Sequence, residues 1–69
     1  MNRTPVTSTS IKSVGYDSGN KTLEVEFKAG KVWQYQGVGE STFKQFISSG
    51  SLGAFFHQNI KGKFNGIAV

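Results

Sequence analysis

Apolar and polar side chains alternate strictly through Leu23-Glu24-Val25-Glu26-Phe27, break at Lys28-Ala29-Gly30-Lys31, and resume in Val32-Trp33-Gln34-Tyr35. In an extended chain successive side chains point to opposite faces. Leu23, Val25 and Phe27 therefore share one face of a strand, and Glu24, Glu26 and Lys28 share the other. A slip of one residue in the pairing would turn a whole strand over. A two-residue Ala29-Gly30 loop would set Phe27 opposite Val32 and send Trp33 and Tyr35 to the charged face. A three-residue Lys28-Ala29-Gly30 loop, type I with Gly30 left-handed as a bulge, sets Val25 opposite Trp33 and Leu23 opposite Tyr35. The second register keeps the aromatic side chains on the dry face, and it spares Ala29 the positive φ of a type I′ turn. It is the register the sequence predicts.

The flanking segments extend this hairpin. Residues 1–10 carry Pro5, three Thr and two Ser around Val6, too little apolar surface to order themselves, so a mobile arm is expected before a domain spanning residues 11–69. Ile11 to Tyr16 reads as a first strand. Ile11 and Val14 have opposite parity, so both reach the core only through a bulge, for which Gly15 is the candidate site. Asp17-Ser18-Gly19-Asn20-Lys21 is dense in turn formers and closes a first hairpin. After Tyr35 the period changes. Phe43, Phe46 and Ile47 lie on one face of a helix over Glu40 to Ser49, which Gly50 is expected to stop as a left-handed residue. Ser51 then reads as the N-cap of a second helix whose stripe is Leu52, Phe55, Phe56, Asn59 and Ile60, ending at Gly62. The predicted fold is α+β: a three-stranded antiparallel meander with two short helices on one face, in the order β-β-β-α-α.

Size explains the aromatic content. A chain of 69 residues without Cys must hold itself together by its hydrophobic core alone, and six Phe and one Trp make a small core sufficient. Absence of Cys fits a reducing compartment. No apolar run approaches a membrane span, and the start lacks a signal-peptide stretch, so a cytoplasmic location is expected. The net charge of +4 is a mild bias toward anionic partners.

Val6-Thr7-Ser8-Thr9-Ser10-Ile11, Val14-Gly15-Tyr16-Asp17, Leu23 to Phe27, Gly30, Tyr35-Gln36-Gly37-Val38, and Ser51 to Phe64 with its Asn59-Ile60-Lys61-Gly62-Lys63-Phe64 together resemble the KTSC domain. That family occurs at the C-terminus of some lysyl-tRNA synthetases and as small stand-alone bacterial and phage proteins. The resemblance implies a fold and a circumstantial tie to tRNA biology, and it implies no established activity. Gly39 stands where the family commonly has Pro at the helix entrance, and His57 where a residue such as Asn is usual.

The residues themselves point the same way. His57 is the only imidazole, and helical spacing sets it off the apolar stripe beside Lys61. No Ser or acid is placed to work with it, so no catalytic residue, metal ligand or cofactor is expected. Glu24 and Glu26 on the solvent face serve solubility and oppose edge pairing. Lys61-Gly62-Lys63 is either an ordinary helix terminus or a source of phosphate contacts. The expected function is that of a non-enzymatic accessory module. It would bind tRNA or other RNA through Lys12, Lys61 and Lys63, helped by Lys31, Arg3 and Tyr16. The alternative is a protein-interaction or self-association module using a sheet edge or an aromatic patch.

Overall fold

The computed structural model describes residues 2–69. Its centre is the predicted hairpin. Strand β3 (Thr22–Phe27) pairs with β4 (Val32–Gln36) so that Val25 lies opposite Trp33 and Leu23 opposite Tyr35. Phe27 N–H donates to Lys31 O at 2.8 Å, Gly30 N–H donates to Phe27 O at 2.9 Å, and Gly30 has φ +99°. This is the three-residue loop with a left-handed glycine.

The sheet is larger than the sequence predicts. It has five antiparallel strands in chain order, not three. Strand β2 (Ile11–Asp17) pairs with β3, as expected. A two-residue strand β1 (Thr4–Pro5) adds to its far side, and β5 (Asn65–Ala68) adds beyond β4. The first ten residues, read as an arm, thus contain β1 and place Val6 against the core. Pro5, which has no N–H to give, is tolerable because β1 is an edge. Strand β5 escapes sequence reading because Asn65-Gly66-Ile67-Ala68 is short and shows no run of large alternating side chains.

The bulge in β2 exists but lies elsewhere. Ile11 pairs with Phe27 and Ser13 with Glu26, so the extra residue is Lys12 and not Gly15. Inserting it there brings Ile11 and Val14 to the same face, where both are buried.

Both helices lie between β4 and β5 in the chain. In α1 (Glu40–Ser48) Phe46 is fully buried and Phe43 packs partly against the core, while Ile47 is 46% exposed instead of buried. Ile47 overhangs the gap beside the two-residue β1, which is too short to cover it. Gly50 is not left-handed. The helix is stopped by Ser49, which turns extended while its hydroxyl donates to Phe46 O at 2.8 Å. Ser51 caps α2 (Leu52–Phe55) as predicted, accepting from Ala54 N–H at 3.3 Å. The expected continuous helix then widens into a π-helical turn, Phe56–Ile60, closed by Lys61 N–H donating to Phe56 O at 2.8 Å. Phe56 and Ile60 are both buried by it. Gly62, at φ +82°, turns the chain toward β5. No helix among the described residues is long and apolar enough to cross a membrane.

The core joins Ile11, Val14, Leu23, Val25 and Tyr35 from the sheet to Phe46, Leu52, Phe56 and Ile60 from the helical layer. The opposite face of the sheet carries polar side chains, and one of them departs from expectation. Glu24 is only 7% exposed, not a solvent-facing acid. Arg3 Nη1 donates to its Oε2 at 2.7 Å and Gln34 Nε2 to its Oε1 at 2.8 Å, so side chains from both neighbouring directions cover it. Glu26 accepts from the Ser13 hydroxyl at 2.8 Å and lies 3.9 Å from Arg3 Nε.

This cluster couples stability to pH. The Gln34 amide holds the Glu24 carboxyl below its ordinary value of 4.5; burial opposes the shift and Arg3 adds to it. A carboxyl with a depressed folded pKa stabilises the fold above its unfolded value and loses that contribution as pH falls through the folded value. Glu24→Gln is expected to cost about 1 kcal/mol at neutral pH. Asp17, lowered by its bonds to Asn20, keeps its own pH dependence in both proteins. The difference between their urea midpoints should therefore shrink as pH is lowered through 4.5 and below.

Candidate functional site

Where β4 and β5 meet the π-helical turn, the aromatic core comes to the surface. A cleft of about 460 Å³ opens there, walled by Phe27, Trp33, Tyr35, Phe56 and Phe64, with His57, Lys61 and Gly62 along its lining. Tyr35 and Phe56 are buried, and Trp33 and Phe64 are half-buried. Trp33 and Tyr35 lie side by side with ring centroids 6.5 Å apart and planes at 22°. Phe56 meets Tyr35 edge-on at 5.4 Å and Phe27 at 5.3 Å, closing the inner end. These are the favoured offset and perpendicular geometries of aromatic pairs, so the walls hold one another in place.

Gly66 makes the cleft possible. It lies opposite Tyr35 in the β4–β5 ladder. A Cβ there would come within 2.7 Å of Tyr35 Cε1 and 3.2 Å of Trp33 Cε3. The rings therefore occupy the space that any other residue would fill. This glycine is required by close approach, and its φ is not positive.

The chemistry of the lining is aromatic and cationic. No carboxylate lines the cleft, whereas His57 and Lys61 do. Burial raises the Tyr35 phenol above its ordinary value of 10.0. A larger hollow of about 640 Å³ lies between residues 6–9 and Ser49–Leu52, but hydroxyls, aliphatics and Lys28 line it and it offers no aromatic surface. Among the described residues no group of His and acids is placed to hold a metal ion.

The six residues singled out from the sequence are divided by the fold. Lys61 lines the cleft, and Lys63 is exposed two residues further along the same turn. Lys12, in the bulge of β2, and Lys31, at the start of β4, are exposed but do not line it. Arg3 is engaged with Glu24 and Glu26 on the other face of the sheet. The ring of Tyr16 stacks on Phe43 at 4.6 Å and its hydroxyl donates to Val38 O at 2.6 Å, and Tyr16 does not line this cleft. His57 is exposed, as expected, and packs edge-on to Phe56 at 5.6 Å. Sequence reading assigned the cleft aromatics to the core. The missed signal is the adjacency of Lys61-Gly62-Lys63 to Phe64 and Gly66.

This fold and surface place the chain in a family of small α+β modules. Residues 7–64 match the KTSC domain, and the chain belongs to that family. It is similar over 99% of its length to a KTSC domain protein of Yersinia pestis known from a crystal structure, with 43% identity, a TM-score of 0.94 and 96% of that chain covered. It is 36% identical to an uncharacterized protein of Stutzerimonas stutzeri, covering 88% of this chain and 86% of the relative. It is also 39% identical over 54 residues to a lysine–tRNA ligase of Trichormus variabilis, covering 78% of this chain and 10% of the ligase. The chain thus spans about a tenth of that enzyme.

Gly66→Ala tests how the cleft is built. Forcing a methyl against two packed rings should destabilise the protein by about 1 to 3 kcal/mol. It should also shift the emission of Trp33, the only tryptophan. An unchanged urea midpoint with unchanged emission would show that the rings are not seated on the Gly66 backbone.

Proposed function

We propose that this protein is a binding module for RNA, acting by recognition and not by catalysis. The observation that carries this reading is Lys61 in the lining of an aromatic cleft that has no carboxylate among its described residues, with Lys63 exposed two residues further along the chain. Lysines beside flat apolar surface suit a polyanion whose bases present flat faces. The distribution of acids supports it as well: Glu24 and Glu26 are tied to Arg3 on the opposite face, and among the described residues no carboxylate lines the cleft beside Lys61. The likeness to a segment of lysine–tRNA ligases favours tRNA as the RNA concerned. A binding role also fits the exposed His57, which meets an aromatic ring and not a nucleophile or an acid.

Fluorescence anisotropy with labelled tRNA and a random single strand tests this reading. Affinity should fall linearly on a log–log plot against salt. The double variant Lys61→Glu, Lys63→Glu should weaken binding at least about tenfold at low salt by removing two phosphate contacts and adding repulsion. No binding at low salt, or binding indifferent to the double variant, excludes it.

A second reading rests on β5. This edge strand is exposed along its length, with Ile67 46% exposed and Val69, just beyond its end, 65% exposed. An open apolar edge is a template for a second copy of the chain. Self-association should then appear in sedimentation as a concentration-dependent mass that Ile67→Lys abolishes, and a monomer at every concentration rules it out.

A further inference from the structure

We propose that the aromatic cleft is a subsite for one unstacked nucleobase of a ribonucleotide, with the attached phosphate held at Lys61; this deepens the RNA reading above and rests on it. At about 460 Å³ the cleft falls within the roughly 300 to 1,000 Å³ typical of small-molecule sites. That is room for a single nucleotide and not for a helix. Phe56 meets Tyr35 and Phe27 edge-on, so packed rings form a floor on which a planar group can rest. Trp33 and Phe64 are half-buried, as is Phe27, and keep part of their surface available for stacking.

Charge and hydrogen bonding complete the fit. The lining carries the cation of Lys61 and the imidazole of His57 with no carboxylate to repel a phosphate. Tyr35 brings to the lining a phenol hydroxyl, a group able to donate to the ring nitrogens and carbonyl oxygens that a base offers as acceptors. Stacking on aromatic faces is tolerant of base identity. All four ribonucleotides should therefore bind, within a narrow range of affinity.

Trp33 reports on its own cleft. Titration with AMP, GMP, CMP and UMP, followed by Trp33 fluorescence and amide NMR shifts, should give saturable changes centred on Trp33, Phe64 and Gly66. Ribose 5-phosphate and inorganic phosphate at equal concentration should leave Trp33 unmoved. Phe64→Leu keeps an apolar filler but removes a stacking face, and should weaken nucleotide binding about tenfold with an unchanged urea midpoint. Should that variant unfold, Lys61→Gln serves instead: it should weaken nucleotide monophosphates while leaving nucleosides unaffected. Salt-dependent tRNA binding with no Trp33 or Phe64 response to any nucleotide overturns the subsite and leaves the RNA reading standing. Saturable nucleotide binding without any binding of tRNA or single strands upholds the subsite, overturns the RNA reading, and makes free nucleotides the source of the ligand. An equal response to ribose 5-phosphate overturns base recognition altogether.

Discussion

Two hydrogen bonds at one turn govern the rest of this molecule: Phe27 N–H to Lys31 O, and Gly30 N–H to Phe27 O. They close only because Gly30 sits at φ +99°, where a side chain would be strained. Closing the loop over three residues sets the parity of β4 against β3. That parity puts Trp33 and Tyr35 on the same side as Leu23 and Val25, beneath the helices. With a two-residue loop the aromatic pair would face the side where Arg3, Glu24 and Glu26 form their polar cluster. The core would lose Tyr35, and the cleft would lose two of its walls.

The candidate site is a part of the core that was left open. Phe56 is held by its edge-on contacts with Tyr35 and Phe27 as any buried ring would be. At the β4–β5 side, however, the chain brings Gly66, whose missing side chain lets the rings of Tyr35 and Trp33 lie directly on the β5 backbone with nothing packed over them from that strand. The π-helical turn, in turn, carries Lys61 to the rim and Phe64 to the outer wall. A domain of this size has little apolar material to spare, so core and recognition surface share side chains. Mutations there will affect stability and binding together unless aromatic character is removed while volume is kept.

Charge is sorted by face. On the uncovered face of the sheet, Arg3 satisfies Glu24 and approaches Glu26, with Gln34 and Ser13 completing their hydrogen bonding. The Arg3 cation is thereby consumed in holding β1 to the sheet. What remains of the positive charge near the aromatic cleft is lysine, exposed and without a carboxylate in the lining.

The sequence by itself determined the hairpin, its register, the left-handed Gly30, the Ser51 cap and the family. Each of these follows from rules that operate over a few neighbouring residues: alternation, turn geometry and side-chain capping. Only the tertiary structure decided the rest, because the deciding partners are distant in the chain. Glu24 reads as a surface acid until Arg3 folds back over it from the N-terminal strand. Gly15 reads as the bulge site from the sequence, and the structure places the extra residue at Lys12 because of how Ile11 meets Phe27 across the sheet. Ile47 satisfies the helical stripe, yet it is left exposed because β1 ends after two residues. Asn65-Gly66-Ile67-Ala68 has no strand signature of its own, since what makes it a strand is its backbone pairing with β4, with the ring of Tyr35 close over Gly66. The aromatic residues were legible as core. Their opening to solvent beside Lys61 was not, because it is a property of where β5 and the π-helical turn meet, and periodicity along the chain carries no information about that junction.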